Sequence, residues 1–200
     1  MKRIKQTIKN GIVSDACELF LSRSISDTTV KDVAAKSEVG EATVYRYFKS
    51  KQNLVALAAL KLQNKVFNEY FKLTGETGFD RIKKFYDSYI EIFQIHPEFY
   101  SFIYEFDAYT LTFSPDLEEY SEGLDLFREE FFSAYRLGLK DKSVKKIKDV
   151  DTFYYATTHA MLELCKKLSL SVRIVKQDEK IKKNEEVRTL ADIILSALKA

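Results

Sequence analysis

Residues 28–51 read TTVKDVAAKSEVGEATVYRYFKSK. Two apolar-periodic runs, Val30 to Ala35 and Glu41 to Phe48, lie on either side of the break Ser37-Glu38-Val39-Gly40. The polar cluster Ser26-Asp27-Thr28-Thr29 precedes the first run with N-cap chemistry, side-chain oxygens that accept the unpaired amides of a first helical turn. Two short helices across a tight turn make a helix-turn-helix, in which the second enters the DNA major groove and the first braces it. Val33, Ala34, Val39, Val44 and Phe48 are the apolar set that joins them, and the small Ala34 permits a close crossing. Glu41, Ala42, Thr43, Tyr45, Arg46 and Tyr47 face outward on the second helix. Lys49 and Lys51 follow at its end, placed to neutralise phosphates.

The chain on either side is also helical in pattern. Ile8, Ile12, Cys17 and Leu19-Phe20 mark an amphipathic helix ending near Arg23. A long helix is expected from Gln52 to Leu73, stopped by Gly75 and Gly78, and another from Phe79 to Ile95. His96-Pro97 closes that one, and Pro97 suits the first position of the next. Ser114-Pro115-Asp116 reads as a helix start, with Ser as N-cap and Pro at N1, for a helix reaching Leu139. Further helices cover about Val150 to Leu170 and Val187 to Leu198. From Leu168 to Ile174 apolar residues alternate, but a lone strand has no partner, which favours a helix end or loop. The expected fold is all-α, with a three-helix head at residues 1–51 and a larger helical domain at 52–200.

Composition agrees with this. Among 200 residues there are only 6 Gly and 2 Pro, too few for the turns of an all-β sandwich. The longest apolar run, Leu54 to Leu60, falls far short of the ~20 residues a membrane span needs. No apolar leader follows the basic N-terminus, and Cys17 and Cys165 lie on apolar helical faces as reduced thiols, so the chain reads as cytoplasmic. The net charge of +2 conceals an asymmetry: residues 1–51 carry ten Lys/Arg against six Asp/Glu, the remainder 22 against 24. A basic head has the sign that DNA requires.

The stretch from Thr28 to Lys51 closely resembles the signature of TetR-family transcriptional regulators, in Thr28-Thr29-Val30, Asp32, Ala34, the turn Val39, Thr43-x-Tyr45-x-Tyr47-Phe48 and Ser50-Lys51. The resemblance spans about residues 5–60. It implies a DNA-binding head followed by a domain for ligand binding and dimerisation. By position, Thr29 corresponds to an N-cap hydroxyl that also meets a phosphate, Thr43, Tyr45 and Tyr47 to groove and phosphate contacts, and Lys51 to a phosphate partner. The full set of expected DNA contacts is Thr29, Lys31, Glu41, Ala42, Thr43, Tyr45, Arg46, Tyr47, Lys49 and Lys51. Three positions depart from the family pattern. Ser24 and Glu38 replace glycines, and Gly40-Glu41-Ala42 stands where relatives carry a Ser cap and a second Gly. A non-Gly residue at positive φ costs roughly 1 kcal/mol. Glu41 suits the helix dipole, repels phosphates, and is a candidate acceptor from a cytosine amino group.

Residues 52–200 hold 23 of the 27 Phe and Tyr side chains, more than one core readily uses. Tyr86, Tyr89, Phe93, Phe102, Phe106 and Tyr109 are therefore candidates to line a cavity for a small apolar or aromatic effector, with Glu105 or Asp107 orienting a polar or cationic group. Phe153, Ala156, Ala160 and Leu164, together with Val187, Leu190, Ala191, Ile194, Leu195 and Leu198, form a stripe suited to a four-helix homodimer interface. His96 and His159 are too far apart for a metal site, and no catalytic constellation or cofactor motif is present. The expected function is a homodimeric regulator, a repressor that leaves a palindromic double-stranded operator when an effector binds. The alternative is a ligand-independent DNA-binding dimer that acts through protein partners, which a filled core in residues 79–170 would favour.

Overall fold

Scarce helix breakers and 3.6-residue apolar periodicity give an all-α protein, seen in a computed structural model that describes residues 2–170 and 182–200. Among the described residues the helices are α1 (Lys2–Ser22), α2 (Val30–Lys36), α3 (Glu41–Phe48), α4 (Lys51–Tyr70), α5 (Gly78–Ile95), α6 (Pro97–Phe113), α7 (Glu118–Asp141), α8 (Val150–Ser169) and α9 (Lys183–Leu198). No described helix is long and apolar enough to cross a membrane. The alternating stretch is helical as far as Ser169, while Val172 and Ile174 lie outside the described residues.

Local chemistry sets most of the boundaries. Thr29 and Thr77 each begin a helix with a reciprocal capping box, closed by Asp32 and Asp80. Asp149 caps α8 by accepting from the Thr152 amide. Pro97 opens α6 directly after His96 ends α5, as expected. The start of α7 differs from the sequence reading. Ser114 is not an N-cap: its amide still donates to the Thr110 carbonyl of α6, and its φ is +42°. The chain turns there, and α7 begins only at Glu118, whose amide is taken by the Asp116 carboxylate.

The chain forms two compact units: Met1–Lys65 with Ser101–Gly123, and Val66–Tyr100 with Leu124–Ala200. Helices α4, α6 and α7 therefore each run from one unit into the other. In the first unit, Ile12, Ala16, Phe20, Leu54, Val55 and Ala58 are buried, and Phe20 stacks on Phe102 with centroids 6.4 Å apart. The thiol of Cys17 is buried on α1 and donates to the Ala58 carbonyl; burial pushes its pKa up to about 12.

The second unit is built round aromatic rings. Phe131 has no exposed surface and meets Phe85, Tyr86, Phe132 and Tyr154 at 5.1–6.3 Å between centroids. Such contacts add stability beyond the area they bury. Helices α5 and α7 cross at Gly78 and Gly138, where a Cβ on Gly78 would lie 2.0 Å from the Gly138 amide nitrogen. Only hydrogen fits between those backbones. Helix α9 packs on α5 and α8, and this corrects the expectation for its apolar stripe. Val187, Ala191, Ile194, Leu195 and Leu198 are buried in the core of their own chain, so they offer little area to a second one.

Phe131→Ala should lose about 3–5 kcal/mol in urea melts, because the surrounding rings are too tightly interlocked to close the void. A loss below about 1 kcal/mol would contradict the packing described.

Candidate nucleic-acid interface

The head begins with an apolar seam. Helices α2 and α3 pack together, and Val33, Ala34, Val44 and Phe48 are buried as expected. Val39 in the turn is half-buried, and its amide donates to the Ala34 carbonyl at 3.0 Å. Glu38 adopts φ +53°, so the position read as a substituted glycine keeps the left-handed backbone without one. Helix α2 is tied to α1 by Ser37 on Asp15 at 2.6 Å and Lys36 on Glu18 at 2.8 Å.

Once the seam is buried, the other face of α3 is left outward. Glu41, Ala42, Tyr45 and Arg46 are exposed, Tyr45 by 49 %, while Thr43 and Tyr47 are half-buried. The Arg46 guanidinium lies 5.4 Å from the centre of the Tyr47 ring. Gly40 caps α3 with no side chain. Thr29 and Lys31 are also exposed. The Thr29 hydroxyl donates to the Asp32 carboxylate at 2.5 Å and accepts from its amide at 3.1 Å. Those bonds hold the Asp32 carboxyl below its ordinary range.

Helix α3 stops abruptly. Lys49 has φ +63° and ψ −37°, and the Ser50 amide donates back to the Phe48 carbonyl at 2.7 Å. This is a γ-turn of the rare, strained hand. The Asn53 side-chain amide also donates to the Phe48 carbonyl, at 3.0 Å, and the Ser50 hydroxyl accepts the Asn53 amide as α4 begins. Lys49 itself is exposed.

Two expected roles change. Lys51 does not project as a free phosphate partner: it is half-buried, and its ammonium donates to the Ile25 carbonyl at 2.5 Å. Burial lowers its pKa. Glu105 does not orient a ligand, since its carboxylate accepts the Ile25 amide at 2.7 Å. Burial raises its pKa. Both ends of one residue in the α1–α2 loop are thus held by charged side chains from α4 and α6. Ser24, the other substituted glycine, rebuilds that loop with its side chain: its hydroxyl accepts from the Asp27 amide, and its carbonyl accepts from Thr28. No local sequence signal announces the Glu105 contact, because its partner is 80 residues away.

The residues expected to line a cavity each pack against neighbouring side chains. In the second unit, Tyr86 is buried and its hydroxyl pairs with that of Thr157 at 2.7 Å. Tyr89 meets Phe71 and Phe85, and Phe93 meets Tyr100. In the first unit, Phe102 stacks on Phe106, which meets Tyr120, while Tyr109 pairs with Phe113. On α8, Ala156 and Ala160 are exposed beside Tyr155 and His159, whose rings lie 5.9 Å apart. Phe153, Leu164 and, on α9, Leu190 are half-buried.

An outward helix across a tight turn from its brace defines a helix-turn-helix head. Residues 12–58 match the family model described as bacterial regulatory proteins, tetR family. Solved structures agree along nearly the whole chain. A ketosteroid transcriptional regulator of Mycobacterium tuberculosis shares 17% identity at a TM-score of 0.63, covering 94% of this chain and 93% of its own. A TetR family transcriptional regulator of Thermus thermophilus shares 19% at 0.59, with 94% and 99% covered, and a tetR-family regulatory protein of Rhodococcus 15% at 0.64, with 96% and 97%. None of the curated proteins matches the chain. The head thus matches the tetR-family model, and the chain as a whole shares the fold of these regulators.

Two substitutions probe the geometry. Lys49→Gly and Lys49→Ala remove the same charge, but only alanine retains the cost of positive φ. The glycine variant should be about 1 kcal/mol the more stable in urea melts, and equal stability would argue against the γ-turn. At Glu105, the raised pKa means that the folded chain favours the neutral carboxyl. That stability is present below the ordinary glutamate range and is lost as pH rises through the raised value. Glu105→Gln keeps an acceptor for Ile25 without the charge. Urea melts at several pH values should find it level with the wild type in acid and more stable at neutral pH.

Proposed function

We propose that the chain is a homodimeric repressor that binds a palindromic double-stranded operator through α3 and leaves it when a small apolar effector binds. The observation that carries the DNA reading is the division of α3. Val44 and Phe48 lock it to the brace, leaving Glu41, Ala42, Tyr45 and Arg46 exposed along one short helix, with Lys49 at its end. Tyr45 and Arg46 suit groove and phosphate contacts, since a phenol and a guanidinium both donate to phosphate oxygens. Lys31, Thr43 and Tyr47 supply further ammonium and hydroxyl donors, whereas the one hydroxyl proton of Thr29 is already given to Asp32. Lys51 is the weakest member of the set, because its ammonium already serves Ile25.

A single eight-residue helix offers little area for a specific site, so two heads are needed, one helical turn of DNA or a multiple of it apart. The dimer surface we infer is the exposed face of α8, with Tyr155, Ala156, His159 and Ala160, and that of α9, with Ile193 at 61 % exposure. Small residues on α8 allow close helix approach. Release would follow if an effector changed the separation of the two heads, and linkage requires it to bind the DNA-free form more tightly, by about 1–3 kcal/mol. One observation favours the ligand-independent alternative: Tyr86, Tyr89 and Phe93 already pack against neighbouring rings.

Operator selection with the purified protein, followed by binding across a salt series, tests the reading. Tyr45→Ala and Arg46→Ala should each weaken the selected site by about tenfold or more. Lys49→Ala should flatten the salt dependence by about 2 in a dimer, ~1 per lysine. Unchanged DNA affinity in all three variants would sink the proposal. Ala160→Arg should yield monomers in sedimentation, and a panel of apolar compounds that never releases DNA would favour the ligand-independent alternative.

A further inference from the structure

We propose that a cleft in the first unit, bounded by the end of α3, the first turns of α4 and the link from α6 to α7, binds a small organic cation with an apolar body. The cleft has a volume of about 260 Å3. That lies near the lower edge of small-molecule pockets, which run from roughly 300 to 1,000 Å3, so the ligand it takes is small.

The residues of its wall fall into two kinds. Phe48, Ala56, Leu57 and Leu60 give an apolar surface, with the rings of Tyr47 and Tyr120 beside it. Asp116, Glu118 and Glu119 bring three carboxylates to the same cleft, against the single ammonium of Lys49. Among the described residues neither Glu118 nor Glu119 has an ion-pair partner; the Asp116 carboxylate accepts only the Glu118 amide, at 3.2 Å. Glu118 and Glu119 suit the first turn of α7, whose dipole favours acids there, and this keeps them in place without a basic side chain opposite.

Charge and shape together select the ligand class. The excess of carboxylates repels an anion. A bare metal ion needs convergent ligands, and among the described residues no group of three or more His, Cys, Asp or Glu is placed to hold one. Charge spread beside an apolar surface with aromatic rings instead matches an alkyl- or arylammonium ion, whose body is buried while its charge meets the carboxylates and ring faces. Burial raises the pKa of Tyr120, so that ring contributes a neutral phenol and no competing charge.

The site differs from the rings of the second unit, and the inference does not depend on DNA binding. Calorimetric titration of the full chain at low salt tests it, with phenethylammonium as the probe. Phenethyl alcohol and phenylacetate serve as neutral and anionic counterparts, and methylammonium as the charge without the body. Phenethylammonium should bind one equivalent per chain, and the other three about tenfold more weakly or less. The double variant Glu118→Gln/Glu119→Gln changes two exposed side chains and should keep the native circular dichroism spectrum and a cooperative melt, with a slightly lowered midpoint, while weakening phenethylammonium about tenfold. The proposal is overturned if phenethylammonium does not bind, if phenethyl alcohol matches it, or if the folded double variant binds as well as the wild type.

Discussion

The α1–α2 loop contains no glycine, and the peptide groups of Ile25 within it are held from two directions. The Glu105 carboxylate takes its amide and the Lys51 ammonium its carbonyl. A buried peptide group left without a partner costs about 1–3 kcal/mol, so the loop's path depends on both side chains being where they are. Ser24 and Thr28 complete the loop from within, and α2 starts directly afterwards with the Thr29–Asp32 box. The position of α2, and of α3 packed against it, therefore rests on side chains of α4 and α6 as much as on the head's own apolar seam.

The same economy explains why charges near the head are not interchangeable. Lys49 and Lys51 are two residues apart, yet one is exposed and the other is turned inward to a carbonyl. Arg46 is exposed but partly anchored by the Tyr47 ring. A count of basic residues in the first 51 positions treats them alike, whereas the fold assigns one to a backbone contact and leaves others outward.

What the sequence disclosed depended on the range of the interaction. Val33, Ala34, Val44 and Phe48 were legible because a helix-turn-helix seam is a short-range pattern, fixed by spacing within 16 residues. The capping residue Thr29 was legible for the same reason. The stripe of α9 was legible as amphipathic, but periodicity states that a face is buried and not which surface covers it; α5 and α8 of the same chain do. Ser114-Pro115-Asp116 had the local marks of a helix start, and they lost to the positive φ with which α6 ends. The contacts of Glu105 and Lys51 were not legible because their shared partner, Ile25, is far away in sequence. The aromatic surplus marked a ring-rich core, while the cleft beside Tyr47 is composed of pieces from three segments that no single window contains.

The γ-turn at Lys49 leaves only two residues between the last turn of α3 and the first of α4. Such a joint has no slack: the Phe48 carbonyl is shared by Ser50 and Asn53, so the two helices are linked as a bent rod would be, with direction but no play. A single inserted residue there would do more than lengthen a loop. It would uncouple the angle of α3 from that of α4, leaving every side chain on the outward face intact and aimed elsewhere.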